Sequence, residues 1–195
     1  VTAGDGPVLV LAGPGSGKTR VLTQRAAYLI GERGVRPYHV MAVTFTNKAA
    51  DEMGDRIAAM LGRQTHGLTL GTFHATCARI LRAEAKHIPV DSNFVIYDSD
   101  DQIKVVKQIL EDRNLDDKRY QPQAVHASIS AAKNELYLPE EYPINSYRDE
   151  VVQRVYEGYQ NMLLTSNAMD FDDLLLWMAT MLSDHPQVRE KYARR

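Results

Sequence analysis

The stretch "VLVLAGPGSGKTRVL", residues 8–22, decides the fold that we expect for this chain. An apolar run enters a glycine-rich loop, and the chain leaves that loop through Lys18 and Thr19 into a pattern of helical spacing. Glycine adopts backbone angles that other residues resist, so consecutive N–H groups can turn inward around phosphate oxygens. The stretch therefore predicts a strand, a phosphate-binding loop and a helix, in that order.

The loop "AGPGSGKT" matches the Walker A pattern except at its first position, where Ala12 replaces glycine. Lys18 can reach the β- and γ-phosphates of a nucleotide, and the Thr19 hydroxyl can bind Mg²⁺, so both are candidate catalytic residues. The alternative is a glycine-rich turn that binds no ligand. The predicted phosphate-binding residues are Ala12, Gly13, Pro14, Gly15, Ser16, Gly17, Lys18 and Thr19.

Composition is typical of a soluble globular chain, with 44% hydrophobic and 25% charged residues among 195. The net charge of −2 argues against a binder of nucleic acid that is basic throughout. Residues 1–91 carry 11 Lys/Arg against 7 Asp/Glu, whereas residues 92–166 carry 8 against 13. This difference predicts two structural units. The single cysteine, Cys77, excludes an internal disulfide and fits a reducing compartment.

Strand and helix patterns alternate over the first part of the chain and predict an α/β fold. Short apolar runs predict strands over residues 7–12, 40–45 and 68–73, and helical spacing follows over residues 18–30, 47–61 and 73–87. Such repeats imply a parallel sheet with flanking helices. From about Phe94 to Asn167 the pattern becomes mostly helical, and Ser99 and Gln102 have the spacing of a capping box.

The segment "TFTNKAADEM", residues 44–53, follows the second predicted strand. Thr44, Thr46 and Asn47 offer polar groups at a helix N-terminus, where they suit a phosphate backbone. Phe45 can stack on an unpaired base. The alternative is that Thr46 or Asn47 only caps the helix while Phe45 packs into the core.

The segment "GTFHA", residues 71–75, follows the third predicted strand. It places Thr72, Phe73 and His74 at the next strand-to-helix turn. The carboxyl ends of parallel strands face the ligand crevice of such a sheet, so Thr72 and His74 are candidate ligand contacts. For His74 taken alone, a structural or solvent-exposed role is the alternative.

Together these segments resemble the UvrD/Rep/PcrA family of superfamily 1A DNA helicases. "AGPGSGKTR" is similar to motif I of that family, "VTFTNKAADEM" to motif Ia and "GTFHA" to motif Ib. "MDFDDLL", residues 169–175, resembles a segment shortly before the DExx motif. The resemblance extends over essentially the whole chain, and the order of the segments is more specific than any one of them.

The resemblance implies a P-loop NTPase of the RecA-like type with an inserted helical subdomain. Domain 1A would comprise residues 1–91 and 168–195, and the helical domain 1B residues 92–167. Arg20 matches a family position near the nucleotide, which adds it to the nucleotide-binding residues. The implied DNA-contacting residues are Thr44, Phe45, Thr46, Asn47, Thr72 and His74.

The resemblance also implies an activity, cofactors and partners. The family translocates 3′ to 5′ on single strands and unwinds duplex DNA with ATP and Mg²⁺, which implies a role in DNA repair or replication. The implied partners are single-stranded and partly duplex DNA and a second RecA-like domain of the same polypeptide. The implied location is the bacterial cytoplasm, in association with the nucleoid.

Two groups of carboxylates are candidates for binding Mg²⁺. Asp98 ends the apolar run "FVIYD", but it also lies at the capping signal of the next helix. Asp170, Asp172 and Asp173 form the cluster "DFDD", which we interpret as the acidic start of a helix rather than as a metal site. In the family the catalytic DExx strand would follow residue 195. We therefore expect the isolated chain to bind ATP weakly and to hydrolyse it negligibly.

Three alternative functions remain compatible with the loop. A small-molecule phosphotransferase uses the same cradle, with the helical insertion as its substrate lid. A non-catalytic, nucleotide-dependent DNA-binding module would need no catalytic acid. The helicase part of a helicase–nuclease shares these early motifs.

Overall fold

The computed structural model describes residues 1–13, 15–115 and 119–195, without the side chains of Arg63 and Gln64. In these residues the chain forms a mixed, helix-rich α/β structure with eight α-helices and four short strands. The strands are β1 (Met41–Thr44), β2 (Thr69–Thr72), β3 (Val95–Ile96) and β4 (Ala168–Met169). The helices are α1 (Lys18–Gly31), α2 (Asn47–Leu61), α3 (Phe73–Ala83), α4 (Ser99–Asp112), α5 (Pro122–Asn134), α6 (Tyr147–Thr165), α7 (Phe171–Asp184) and α8 (Pro186–Ala193). Within the described residues, no helix is both long and apolar enough to cross a lipid bilayer.

The chain divides into two compact units. The first comprises Val1–Thr76 with Glu190–Arg195, and the second comprises Cys77–Arg189. The predicted division into residues 1–91, 92–167 and 168–195 follows family motifs rather than compactness, and it stays a prediction.

Parallel pairing of β1 with β2 organises the first unit. The register places Thr44 opposite Thr72, so both strands end at the same edge. Buried residues of α1 and α2, with one residue just before β1, form the core of this unit. They are Ala26, Ile30, Val40, Met53 and Ile57. Helical spacing in the sequence predicts one apolar face of α2 that contains Ala50, Met53, Ile57 and Leu61, and the first three are buried. The same spacing predicts Leu22 on the apolar face of α1, but Leu22 is 49% exposed.

The strand predicted over residues 7–12 is not formed. Those residues have no regular secondary structure, and Val8 to Leu11 are between 55% and 87% exposed. A strand requires a hydrogen-bonded neighbour, and no strand in the described residues pairs with this segment. An apolar run predicts a strand only when another strand is available beside it. The predicted parallel pairing is confirmed only for two separate two-stranded sheets, β1 with β2 and β3 with β4.

Two predicted helix boundaries differ from the structure. The α3 helix ends at Ala83, and a short 3-10 helix follows over Ala85–His87. The cap of α4 is Asp98 and not Ser99, because the Asp98 carboxylate accepts a hydrogen bond from the Asp101 N–H at 2.9 Å. A carboxylate and a hydroxyl can both cap a helix, so adjacent Asp and Ser leave the choice to backbone geometry.

The core of the second unit lies among α4, α5 and α6. Its members are mostly aliphatic side chains at helical spacing, joined by two fully buried tyrosines of α6, Tyr156 and Tyr159. The Tyr156 hydroxyl donates to the Tyr137 carbonyl at 2.9 Å, which satisfies a polar group that would otherwise be buried unbonded.

A buried ion cluster joins α5 to the start of α7. Lys133 Nζ lies 2.7 Å from Asp170 Oδ2 and 2.8 Å from Asp173 Oδ1, and all three side chains are 0–2% exposed. The Tyr159 hydroxyl also donates to Asp170 Oδ2, and Gln160 Nε2 donates to Asp173 Oδ1. Burial raises the pKa of Asp173, and the Asp170 carboxylate adds to this rise, while the Lys133 ammonium opposes it. One lysine thus balances two carboxylates away from water.

We predict that Lys133→Met lowers the free energy of unfolding by about 3–5 kcal/mol, because it leaves two buried carboxylates without their cation. Urea denaturation measures this change. The control is Lys104→Met, which removes an exposed pair with Asp101 at 3.5 Å and changes stability by less than about 1 kcal/mol. Equal effects of the two substitutions would contradict a structural role for the cluster.

Candidate phosphate-binding loop and strand-end surface

The backbone of the predicted phosphate loop depends on two glycines. Gly15 and Gly17 have φ angles of 72° and 84°, in the left-handed region. A Cβ atom added at Gly15 would meet no atom within 4 Å. Glycine is therefore favoured here by the positive φ angle and not by lack of space for a side chain. Pro14, a predicted binding residue, lies outside the described residues.

Short hydrogen bonds hold the loop and its lysine together. Ser16 donates to the Gly13 carbonyl from its hydroxyl at 2.6 Å and from its N–H at 3.3 Å. Lys18 Nζ donates to the carbonyls of Gly13 at 2.7 Å and Ala12 at 3.2 Å. These hydrogen bonds bring together four of the predicted residues in one exposed loop, namely Ala12, Gly13, Ser16 and Lys18. The Lys18 ammonium lies against the carbonyls of this loop.

The loop leads directly into the N-terminus of α1. Gly17 is the N-cap and supplies no side-chain hydrogen bond, and the first turn contains no acidic residue. The first-turn N–H groups and the Lys18 ammonium therefore face no competing carboxylate of this turn. Thr19 is half-buried in this turn, and Arg20 is exposed. This arrangement of donors fits a phosphate anion.

The ends of β1 and β2 repeat one local layout. Each strand ends in a threonine and is followed by an exposed phenylalanine, Phe45 at 101% and Phe73 at 58% exposure. Thr72 Oγ1 accepts a hydrogen bond from Ala75 N–H in the first turn of α3. Thr46 Oγ1 accepts from Ala49 N–H in the first turn of α2. We call Thr44, Phe45, Thr46, Thr72 and Phe73 the strand-end surface.

The structure decides between the alternatives for Phe45 and Thr46. Phe45 does not pack into the core, because its side chain is fully exposed. Thr46 caps α2, as its alternative interpretation held, and Thr44 Oγ1 donates to the Thr46 carbonyl at 2.9 Å. Asn47 is the exposed first residue of α2, and His74 is half-buried near the start of α3. Contact of these residues with DNA stays a prediction.

Sequence reasoning named Phe73 in its segment but did not place it among the site residues. The signal was available, because Phe73 follows β2 as Phe45 follows β1. Only the register of the two strands shows that each phenylalanine follows one member of a paired couple, Thr44 and Thr72.

The carboxylates considered for Mg²⁺ have structural partners. Backbone N–H groups of Asp101 and Asp100 lower the pKa of Asp98, which caps α4. Asp170 and Asp173 form a capping box at the start of α7 and pair with Lys133, which confirms that they begin a helix. In the described part of the chain, no group of three or more His, Cys, Asp or Glu residues is placed to hold a metal ion.

We predict that Gly17→Ala lowers the free energy of unfolding by about 1–2 kcal/mol, because a Cβ atom disfavours the left-handed conformation at this N-cap. Gly13→Ala is the matched control, since Gly13 has no positive φ and open space around it. Urea denaturation of both variants measures the difference. A Gly17→Ala variant as stable as Gly13→Ala would show that the loop does not hold this conformation in solution.

Comparison with known proteins places the whole chain in one family. The model of the UvrD/REP helicase N-terminal domain matches residues 1–195. The "ATP-dependent DNA helicase PcrA" of Bacillus subtilis (strain 168) is 47% identical over 193 residues, which are 98% of this chain and 26% of that protein. Proteins of the same name from Staphylococcus epidermidis and Staphylococcus aureus are 44% identical over 190 residues, again 26% of their length. The chain thus spans about a quarter of these relatives, and it belongs to the UvrD/REP helicase family, whose N-terminal domain it matches throughout.

Proposed function

We propose that this chain is the nucleotide-binding portion of an ATP-dependent DNA helicase. The observation that carries the proposal is the presence, in one compact unit, of the predicted phosphate-binding loop and of two exposed phenylalanines at parallel strand ends. A phosphate loop alone serves many reactions, and exposed aromatic residues alone serve many contacts. Together with relatives that are named ATP-dependent DNA helicases, they favour a nucleotide-driven protein that contacts unpaired bases.

ATP is the ligand that we assign to the loop. The Lys18 ammonium and the N–H groups from Gly15 into the first turn of α1 would hold the phosphates. The Thr19 hydroxyl would bind Mg²⁺, which neutralises phosphate charge when it is bound, and Arg20 would lie near the nucleotide. In this proposal the first unit is part of a RecA-like domain 1A.

Single-stranded DNA is the substrate that we assign to the strand-end surface. Phe45 and Phe73 would stack on bases, and Thr44, Thr46, Asn47, Thr72 and His74 would contact the backbone. The two phenylalanines follow strands paired in register, so they offer adjacent stacking positions along one edge. In the full-length protein, a second RecA-like domain would act with this one to move 3′ to 5′ along the strand.

We predict that Lys18→Ala weakens ATP binding by the isolated chain at least about tenfold, because a charge-assisted bond to phosphate is lost. Isothermal titration calorimetry with and without Mg²⁺ measures the affinity. The fold should be unaffected, since Lys18 is exposed and, among the described residues, its ammonium donates to the loop carbonyls of Ala12 and Gly13. Lys107→Ala, at an exposed lysine of α4, is the control. If Lys18→Ala binds ATP with unchanged affinity, the assignment of ATP to this loop is wrong.

We predict that Phe45→Ala and Phe73→Ala each weaken binding to an oligodeoxythymidylate by about 1–3 kcal/mol, the usual value for loss of one base-stacking contact. Fluorescence anisotropy measures the affinity, and thermal unfolding should be unchanged for Phe45→Ala. The control is Met60→Ala, an exposed residue about 20 Å along α2 from its N-terminus. If the two variants unfold at a lower temperature but bind DNA as the native chain does, the phenylalanines stabilise the fold and do not contact DNA.

DNA-stimulated ATP hydrolysis and strand unwinding by the full-length protein test the proposal as a whole. We expect both activities in the native protein and neither in its Lys18→Ala variant. Turnover that DNA does not stimulate would favour a phosphotransferase instead, and DNA binding without turnover would favour a non-catalytic module.

A further inference from the structure

A pocket of about 280 Å³ lies in the second unit, where the C-terminal end of α4 meets α6. We call it the arginine pocket, and its described lining residues are Arg113, Leu115, Tyr147, Val151 and Arg154. Gly158 of α6 lets the two helices approach here, since a Cβ atom at this position would lie 3.2 Å from Ile109 Cγ2 and 3.4 Å from Arg113 Nη2. The Arg113 guanidinium, which lines the pocket, therefore lies against α6 at Gly158.

The lining combines an apolar floor with polar walls. Val151 is 3% exposed and Leu115 is half-buried, whereas Tyr147 is 63% exposed at the first residue of α6. Tyr147, Val151 and Arg154 are spaced by four and three residues, which places them on one face of α6. An apolar side chain can thus rest on the floor while a polar group reaches the rim.

The charge of the pocket is opposite to that of its unit. Residues 77–189 contain 12 Lys/Arg and 19 Asp/Glu, which gives a net charge of −7. Nevertheless, the described lining carries two arginines and no carboxylate. Both guanidinium groups lie on exposed residues, and neither has an ion-pair partner among the residues that the structure describes. Lys104 and Lys107 of α4, by contrast, each pair with an acidic residue one turn away.

We propose that the arginine pocket binds a short acidic segment of a partner protein, in which a carboxylate side chain lies beside an apolar one. The planar guanidinium groups bind carboxylates through paired hydrogen bonds, and the floor of Leu115 and Val151 accepts the apolar neighbour. A nucleic-acid strand fits less well, because it would extend beyond this pocket of about 280 Å³ over a unit of net charge −7, within about one Debye length, ~8–10 Å. A short segment can instead place its carboxylates at the two arginines.

The test is a fluorescence anisotropy titration of the 195-residue chain with the labelled peptide Gly-Glu-Asp-Leu-Glu-Asp-Leu-Gly. Its matched control replaces each Glu by Gln and each Asp by Asn. We expect the acidic peptide to bind at least about tenfold more tightly than the amide peptide. Arg113→Ala and Arg154→Ala should each weaken binding about tenfold, as expected when a hydrogen bond to a charged group is lost. Arg148→Ala, at an exposed arginine of α6 outside the described lining, should leave binding unchanged.

Several results would overturn the proposal. These are no detectable binding of the acidic peptide, equal affinity for both peptides, or equal losses in all three arginine variants. A fourth is displacement of the peptide by a 20-nucleotide DNA, single-stranded or duplex, whose own affinity falls about tenfold in Arg113→Ala and Arg154→Ala. The pocket would then be a nucleic-acid site. Because the Lys18 and Phe45 variants test other residues, failure here leaves the proposed helicase function untouched.

Discussion

Backbone N–H groups at the start of a helix have no partner within that helix, and this constraint organises both units of the chain. At most of the helices whose cap is described, a side-chain oxygen accepts a hydrogen bond from one of these N–H groups. The capping residues are Thr46 for α2, Thr72 for α3, Asp98 for α4, Ser146 for α6 and Asp170 for α7. At α1 the cap is Gly17, which offers no side chain, and the N–H groups of this helix are left available to a ligand.

The same constraint has an electrostatic consequence at α7. Asp170 caps the helix from a buried position by accepting from the Asp173 N–H, and the Asp173 carboxylate in turn accepts a hydrogen bond from the Asp170 N–H. Two carboxylates away from water require a cation, which Lys133 supplies from α5. The capping of α7 by Asp170 therefore depends on Lys133, which lies 37 positions earlier in the chain. Together with the hydrogen bond from Tyr159 to Asp170, this contact holds α5, α6 and the start of α7 together.

In the first unit, unlike the second, the charged and aromatic side chains of interest are exposed and not buried. Its loop keeps Lys18 at the surface beside the N-terminus of α1, and its strand ends keep Phe45 and Phe73 in solvent. Neither arrangement contributes to the buried core of Ala26, Ile30, Val40, Met53 and Ile57. Exposed aromatic residues are costly in water, and a stacking ligand offsets this cost. The proposed helicase function accounts for both features at once.

Much of the candidate site could be predicted from local sequence. The glycines of the loop specify its backbone, and the helical spacing of α2 specifies its buried face, because both depend on neighbours within a few residues. The family follows from the order of the loop and strand-end motifs. Helix boundaries were predicted less well where two capping residues stand side by side, as at Asp98 and Ser99.

The sequence by itself determined the glycine-rich loop, the helix that follows it and the threonine–phenylalanine pair at the end of each of two strands. Only the tertiary structure decided which apolar runs become strands, because residues 8–11 are as hydrophobic as β1 and yet pair with no strand in the described part of the chain. It also decided that Phe45 is exposed, that Phe73 is its equivalent and that Lys133 balances Asp170 and Asp173. These outcomes depend on contacts between residues far apart in the chain, and local spacing carries no information about such contacts.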